Sequence, residues 1–361
     1  MPTMLENRKP KTLPVKPILS ALNGYAAKTP PCWFMRQAGR YLPEYRETRA
    51  KAGGFLDLAF NPALAAEVTL QPIRRYGMDA AILFSDILVV PMMLGQDLKF
   101  AEGEGPVLKP VRSAAEIPML TEAQFDKVTK PILETIGRIR HGLTAEGFHD
   151  TALIGFAGAP WTVACYMVEG SSSRDFTQVK RWAYEDPPGF GRLISEIAEA
   201  TVLYLEAQVC AGAEVLQIFD SWAGALDEAQ FRRWVIEPTR YIVQRLRLSC
   251  PDVPVIGFPR AAGQLYQDYV EQTGVDAVSL DPQVPLDWTT KTLQKKVAVQ
   301  GNLDPVLLLT GGDAMKRETK RIIEGLIGGP FIFNLGHGII KETPPEHVAQ
   351  LMELIRNGKA S

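Results

Sequence analysis

The chain is short of the residues that build metal centres and disulfide frameworks. Of its 361 residues, four are histidine and four are cysteine. The cysteines, Cys32, Cys165, Cys210 and Cys250, are widely separated and form no CxxC pair. That spacing argues against a zinc site, and a chain of this size needs no disulfide framework. A reducing, cytoplasmic setting is expected. Long hydrophobic runs are lacking too. The longest apolar-rich stretch, Ile82 to Leu94, is interrupted by Ser85, Asp86 and Pro91 and is too short to cross a bilayer. Met1 to Pro17 carries lysines and prolines but no signal-type apolar segment, so no membrane partner is expected. Nor does one sign of charge dominate: 39 basic against 41 acidic residues leave a formal net charge of −2. A nucleic-acid binder would normally carry a basic domain or stripe, so no nucleic-acid partner is expected. Any acidic ligand must then be held by locally placed arginines.

What is present is a repeating alternation. Eight short runs of apolar, often β-branched residues are bounded by Gly, Pro or Asp and read as strands. They are Cys32–Arg36, Asp79–Phe84, Thr151–Phe156, Glu214–Phe219, Val253–Phe258, Val275–Leu280, Val297–Gln300 and Pro330–Asn334. Their near-continuous apolar character suits parallel strands covered on both faces. Helical spacing fills the intervals. In the last helix Val348, Leu351, Met352 and Ile355 recur at helical steps, with Thr343 as the expected N-cap and Gly358 past the end. Eight strands alternating with helices predict an α/β fold, a single (β/α)8 barrel; a doubly wound open sheet is the alternative. No linker-like tract divides the chain, so 18–361 is expected to form one catalytic domain, preceded by a poorly ordered 1–17 extension.

Polar residues collect just after the strands, at the ends where such a barrel carries its active site. Arg36-Gln37-Ala38-Gly39-Arg40 follows the first strand. Paired guanidinium forks grip carboxylates, and small residues let backbone N–H groups approach an anion. Surface arginines in salt bridges are the bland alternative. Asp86 sits in an otherwise apolar run, where a carboxylate must be paired, hydrogen-bonded or protonated. Gly155 to Gly170 runs from a strand end into a helix, yet it is neither a GxGxxG fingerprint nor a Walker loop. Tyr166 is its polar residue best able to reach a ligand. Ser221 lacks a GxSxG elbow and reads as a hydrogen-bond donor. His337, between Gly336 and Gly338, is either a ligand contact or a structural histidine.

The stretch from Trp33 through Met35, Arg36, Gly39 and Arg40 to Glu44 resembles the first signature of uroporphyrinogen decarboxylases. Gly155 to Thr162, continuing through Tyr166 to Gly170, resembles the second. Phe84–Leu88, Phe219–Gly224 and Asn334–Ile339 also fit, in order, from about residue 18 to the last helix. The resemblance implies a (β/α)8 barrel, usually a homodimer, that needs no metal or organic cofactor. It further implies the conversion of uroporphyrinogen III to coproporphyrinogen III. Substrate binding would fall to Arg36, Gln37, Ala38, Gly39, Arg40, Asp86, Tyr166, Ser221 and His337. On chemical grounds Asp86, to stabilise a protonated ring, and Arg36, to position or donate protons, are the expected catalytic residues. Two rivals stay open: a zinc-dependent corrinoid methyltransferase, and a tetrapyrrole binder without chemistry.

Overall fold

A computed structural model describes residues 16–101 and 105–357. Seven strands form one parallel sheet, curled and flanked by helices: β1 (Ala80–Ile82), β4 (Ala152–Gly158), β5 (Val215–Asp220), β6 (Val255–Pro259), β7 (Ala277–Ser279), β8 (Ala298–Leu303) and β9 (Phe331–Leu335). Each pairs with the next in that order. Seven of the eight expected strands are therefore present, although β1 is shorter than its apolar run. A separate antiparallel hairpin, β2 (Leu98–Ala101) with β3 (Gly105–Leu108), was not expected.

The first expected strand, Cys32–Arg36, is corrected. It makes a single parallel bridge, Cys32 to Phe333. Trp33 N–H donates to the Phe333 carbonyl, and Asp79 N–H donates to the Cys32 carbonyl. This segment thus touches both edges of the sheet without becoming a ladder. Its geometry is diverted one residue later, because Phe34 N–H donates to the Gln37 side chain (3.0 Å) and not to a neighbouring strand.

Two apolar layers hold the fold. A small inner cluster joins Trp33, Met35, Ala80, Ile154, Val215, Ile256, Phe258 and Ile332 to the short helix Pro17–Leu22. The larger layer lies between the sheet and the outer helices. Full burial of each Leu, Ile or Phe contributes about 1.5–3 kcal/mol, so these layers dominate stability. Polar side chains inside the curl bond to one another: Trp33 Nε1 donates to Gln300 Oε1 (2.8 Å), and Gln300 Nε2 donates to Ser279 Oγ (2.5 Å).

The expected 1–17 extension lies outside the described residues except for Lys16 and Pro17. Those two are ordered: Pro17 opens a helix, and Lys16 Nζ pairs with Glu214 (2.7 Å). The last helix spans Pro345–Asn357. Thr343 does not cap it. The helix starts two residues later, and Thr343 Oγ1 is buried without a hydrogen-bond partner among the described residues. Gly358 lies outside the described residues. None of the described helices is long and apolar enough to cross a membrane.

Candidate active site

The loop bearing Arg36 is over-determined by its surroundings. Arg36 has φ of +62°, a left-handed conformation that is uncommon for a non-glycine residue and costs of order 1 kcal/mol. Its neighbours hold it there. Met35 N–H donates to Asn334 Oδ1 (3.2 Å), and Ile339 N–H donates to the Met35 carbonyl (2.9 Å). Gln37 is fully buried; its Oε1 accepts from Phe34 N–H, and its Nε2 donates to the Ala80 carbonyl at 3.0 Å. Both ends of the Gln37 amide are thus spent on shaping the loop, which leaves its backbone as the part that can face a ligand. Ala38 and Gly39 are half-buried, and Arg36 and Arg40 are exposed. A Cβ on Gly39 would fall 3.0 Å from the Arg36 carbonyl oxygen, so this glycine permits the tight turn.

Gly338 plays a matching part from the β9 side. A Cβ there would lie 2.6 Å from Arg36 Cγ. Gly338→Ala should therefore displace the Arg36 stem while sparing the sheet. An ångström of misplacement can cost about 10²-fold in rate. Turnover is expected to fall by about ten- to a hundredfold with little change in melting temperature, as paired kinetic and thermal assays would read.

Asp86 stands four residues beyond β1 and is half-buried. Its Oδ1 accepts from Leu88 N–H at 2.8 Å. No other hydrogen bond or ion pair engages its carboxylate among the described residues. Burial pushes its pKa above the ordinary carboxylate value, against the opposing pull of Leu88 N–H and of the Arg36 charge. Tyr166, on the helix Pro160–Glu169, is pushed up to about 12 by burial and then by the Asp86 charge, so it stays a neutral hydroxyl. His337, just after β9, is held down to about 4 by burial and then by Arg36 and Arg260. It is an uncharged imidazole at neutral pH. Arg36 is itself lowered by loss of surrounding water; Arg40 and Arg260 act in the same direction, while Tyr166 and Asp86 oppose them. These mutual influences gather Arg36, Arg40, Asp86, Tyr166 and His337 at one mouth. Ser221 follows β5 and is half-buried, and no hydrogen bond ties it to the others among the described residues.

A mouth with several arginines and one under-coordinated carboxylate suits a polyanionic ligand with N–H donors at its centre. The uroporphyrinogen decarboxylase (URO-D) family model matches residues 13–358. The chain belongs to that family. Among similar proteins, the uroporphyrinogen decarboxylase of Rhodospirillum rubrum is 55% identical over 341 residues, covering 94% of this chain and 97% of its own. That of Granulibacter bethesdensis is 56% identical over 342 residues, covering 94% and 99%. Among solved structures, a methyltransferase from Methanosarcina mazei superposes with a TM-score of 0.78 at 20% identity, covering 96% of this chain and 99% of its own. A B12-independent methionine synthase from Shewanella sp. W3-18-1 gives 0.52 at 11% identity, covering 82% and 86%. At those identities the likeness concerns the fold alone.

In this uroporphyrinogen decarboxylase family member, Trp222, the bonded pair Thr162–Asp220 and Arg260 also shape the mouth. Trp222 packs on Tyr166, with ring centroids 4.2 Å apart. Its N–H donates to Thr162 Oγ1 (3.1 Å), and that hydroxyl in turn donates to Asp220 Oδ1 (2.5 Å). Arg260 comes just after β6. A signal for Trp222 was present in its place two residues past a strand, beside Ser221. Aromatic residues there are commonly core, so the sequence did not separate the two roles.

Asp220 is almost fully buried, and its Oδ2 has no hydrogen-bond partner among the described residues. Burial raises its pKa from 3.8 to about 7, against the Thr162 hydrogen bonds. Between those values the folded chain binds a proton that the unfolded chain has lost. Stability from this group is therefore full below about pH 4 and falls as pH rises towards 7, by up to about 4 kcal/mol. Asp220→Asn should flatten that part of the profile, and denaturation at pH 5 and pH 8 would measure it. An equal pH dependence in both proteins would refute this assignment.

Proposed function

We propose that the chain decarboxylates uroporphyrinogen III, converting four acetate side chains into methyls and giving coproporphyrinogen III and CO2, a step of haem and chlorophyll biosynthesis. Direct loss of CO2 from an acetate would leave a carbanion without an electron sink. The substrate supplies one. Protonation of a pyrrole carbon beside the acetate-bearing position makes a cationic ring, and the C–CO2 bond breaks with its electrons flowing into that ring. A proton added to the resulting methylene makes the methyl, and the first proton leaves, for a net uptake of one proton per CO2. No organic cofactor or metal is required by this route.

The single observation that carries the reading is the state of Asp86: a carboxylate in the mouth that accepts one backbone N–H and no other hydrogen bond or ion pair among the described residues. A flexible porphyrinogen can turn its four pyrrole N–H groups toward one such anion. An anion short of partners in a partly desolvated cleft favours the protonated ring over the neutral one. Arg36 and Arg40 would hold acetate and propionate carboxylates, the backbone around Ala38 and Gly39 would approach them, and Tyr166, Ser221 and His337 would fix the periphery as neutral donors. Arg36 is the candidate for positioning the leaving carboxylate. Its ordinary pKa is too high for an efficient general acid, and the downward shift narrows that gap only in direction.

The hydrogen bonds from Pro31–Trp33 to both sheet edges support a closed (β/α)8 barrel with this segment as the eighth stave, and 18–361 as one catalytic unit. A homodimer with facing clefts and a cytoplasmic setting complete the proposal; four free thiols suit a reducing compartment. Zinc-dependent methyl transfer is less suited to this mouth. Among the described residues no three His, Cys, Asp or Glu side chains gather as ligands, and His337 is flanked by arginine charges that disfavour a cation. Anaerobic incubation with uroporphyrinogen III, followed by analysis of the oxidised porphyrins, tests the proposal. Stepwise loss of carboxyls to the tetracarboxylate is expected; recovery of intact substrate would overturn it, and unaltered but tightly bound substrate would mark a binding protein.

A further inference from the structure

The mouth contains an arginine that the signature motifs do not include. Arg260 follows β6, the middle strand of the seven, with three strands on either side. The Arg36 loop instead leaves the segment that touches β9 and the start of β1, the two edges of the curled sheet. Arg260 nevertheless acts electrostatically on both Arg36 and His337. Its backbone is bonded to Asp220 and Gly224, either side of the turn whose Trp222 stacks on Tyr166, which places it beside the mouth.

Its backbone is pinned on every side while its side chain is left free. Arg260 N–H donates to the carbonyls of Asp220 (3.1 Å) and Phe258 (3.0 Å), and its own carbonyl accepts from Gly224 N–H (3.0 Å). The next residue, Ala261, has φ of +61°, a conformation that Cβ disfavours. It is held there by its N–H bond to Asp281 Oδ2 (2.6 Å), the oxygen that also accepts from Tyr266 OH (2.7 Å). Asp281 feels the Arg260 charge, but its Oδ2 is engaged by these two donors and no ion pair between the two forms among the described residues. Arg260 itself is exposed, with no ion pair or side-chain hydrogen bond among the described residues.

We propose that Arg260 is a substrate-binding residue whose guanidinium holds a propionate carboxylate of the tetrapyrrole on the side of the mouth facing Arg36. This rests on the decarboxylase reading above and specifies how that site orients its substrate. The choice of propionate follows from the chemistry. Acetates are consumed one by one, so an anchor that serves every round has to grip a group that every round retains. Gripping the retained side chains from opposite sides lets the ring be turned by a quarter between rounds without losing its seat.

The test compares wild type, Arg260→Ala and Arg260→Lys by steady-state decarboxylation, with coproporphyrinogen III as the competing product. The expected result for Arg260→Ala is a KM and a product inhibition constant each raised about tenfold, with kcat within about twofold of wild type. A single charge-assisted contact is commonly worth that factor. Arg260→Lys should recover most of the loss, which a merely structural role would not predict. Unchanged KM and inhibition constant would overturn the proposal, as would a fall in kcat at constant KM. A KM effect that fades as substrates with fewer acetates are used would assign Arg260 to an acetate and equally overturn it. Should wild type bind coproporphyrinogen III without decarboxylating its precursor, the functional reading falls while a binding titration still reads Arg260; absence of any binding removes both.

Discussion

Asp86→Asn is expected to lower kcat by about a thousandfold while leaving the fold intact. Asparagine keeps the shape and keeps an oxygen for Leu88 N–H, the one hydrogen bond that the Asp86 carboxylate accepts among the described residues. What it removes is the negative charge. A preorganised group aimed at developing charge is commonly worth 10²–10³ in rate, and here the charge is a full cation in a partly desolvated cleft, at the upper end of that range. The pH dependence sharpens the test. Burial raises the Asp86 pKa, so activity in the free enzyme should fall on the acid side at a pH above the ordinary aspartate value. The base form is active, and its fraction shrinks as pH drops through that raised pKa. The asparagine variant should lose both the rate and this acid limb. Near-normal turnover with the limb retained would remove Asp86 from the mechanism.

The sequence carried this site further than it carried the sheet. Asp86 was legible because a carboxylate inside Ile82–Leu94 has no apolar reason to be there. Arg36, Tyr166 and His337 were legible through their places after strands. Seven strands followed from their apolar runs, since parallel strands buried on both faces leave a near-continuous pattern. The Cys32–Arg36 run carries the same pattern but ends in a left-handed Arg36, and a side-chain bond from Gln37 replaces a ladder bond; neither is visible in composition. Gln37 was legible as part of the Arg36–Arg40 segment, but only the three-dimensional path of the loop shows its amide turned inward to Ala80. The hairpin of Leu98–Ala101 with Gly105–Leu108 escaped because four-residue strands with a proline and a lysine give no clear period. Arg260 escaped because a lone arginine after a strand reads like any surface arginine until the curl of the sheet brings it opposite Arg36.

Arg36→Lys should lower kcat/KM by about a hundredfold, although charge and backbone are both retained. Lysine at φ of +62° meets the same steric cost as arginine, so the two proteins should melt within about a degree of each other. Any kinetic loss then belongs to the fork. An ammonium is a point charge on a flexible stem, whereas a guanidinium presents two parallel N–H donors to one carboxylate and fixes its plane. That plane matters because the C–CO2 bond has to stand upright to the ring for its electrons to enter the π system. Arg36→Gly separates the two contributions in the opposite way. Glycine relieves the left-handed strain and should stabilise the chain by about 0.5–1 kcal/mol, less what is lost from packing at Gly338, while abolishing carboxylate positioning. A variant that is more stable and nearly inactive would show that the fold tolerates this conformation for the sake of the reaction. Equal kinetics in Arg36→Lys and wild type would instead reduce Arg36 to a charge on the rim and leave the orientation of the departing carboxylate to Arg40.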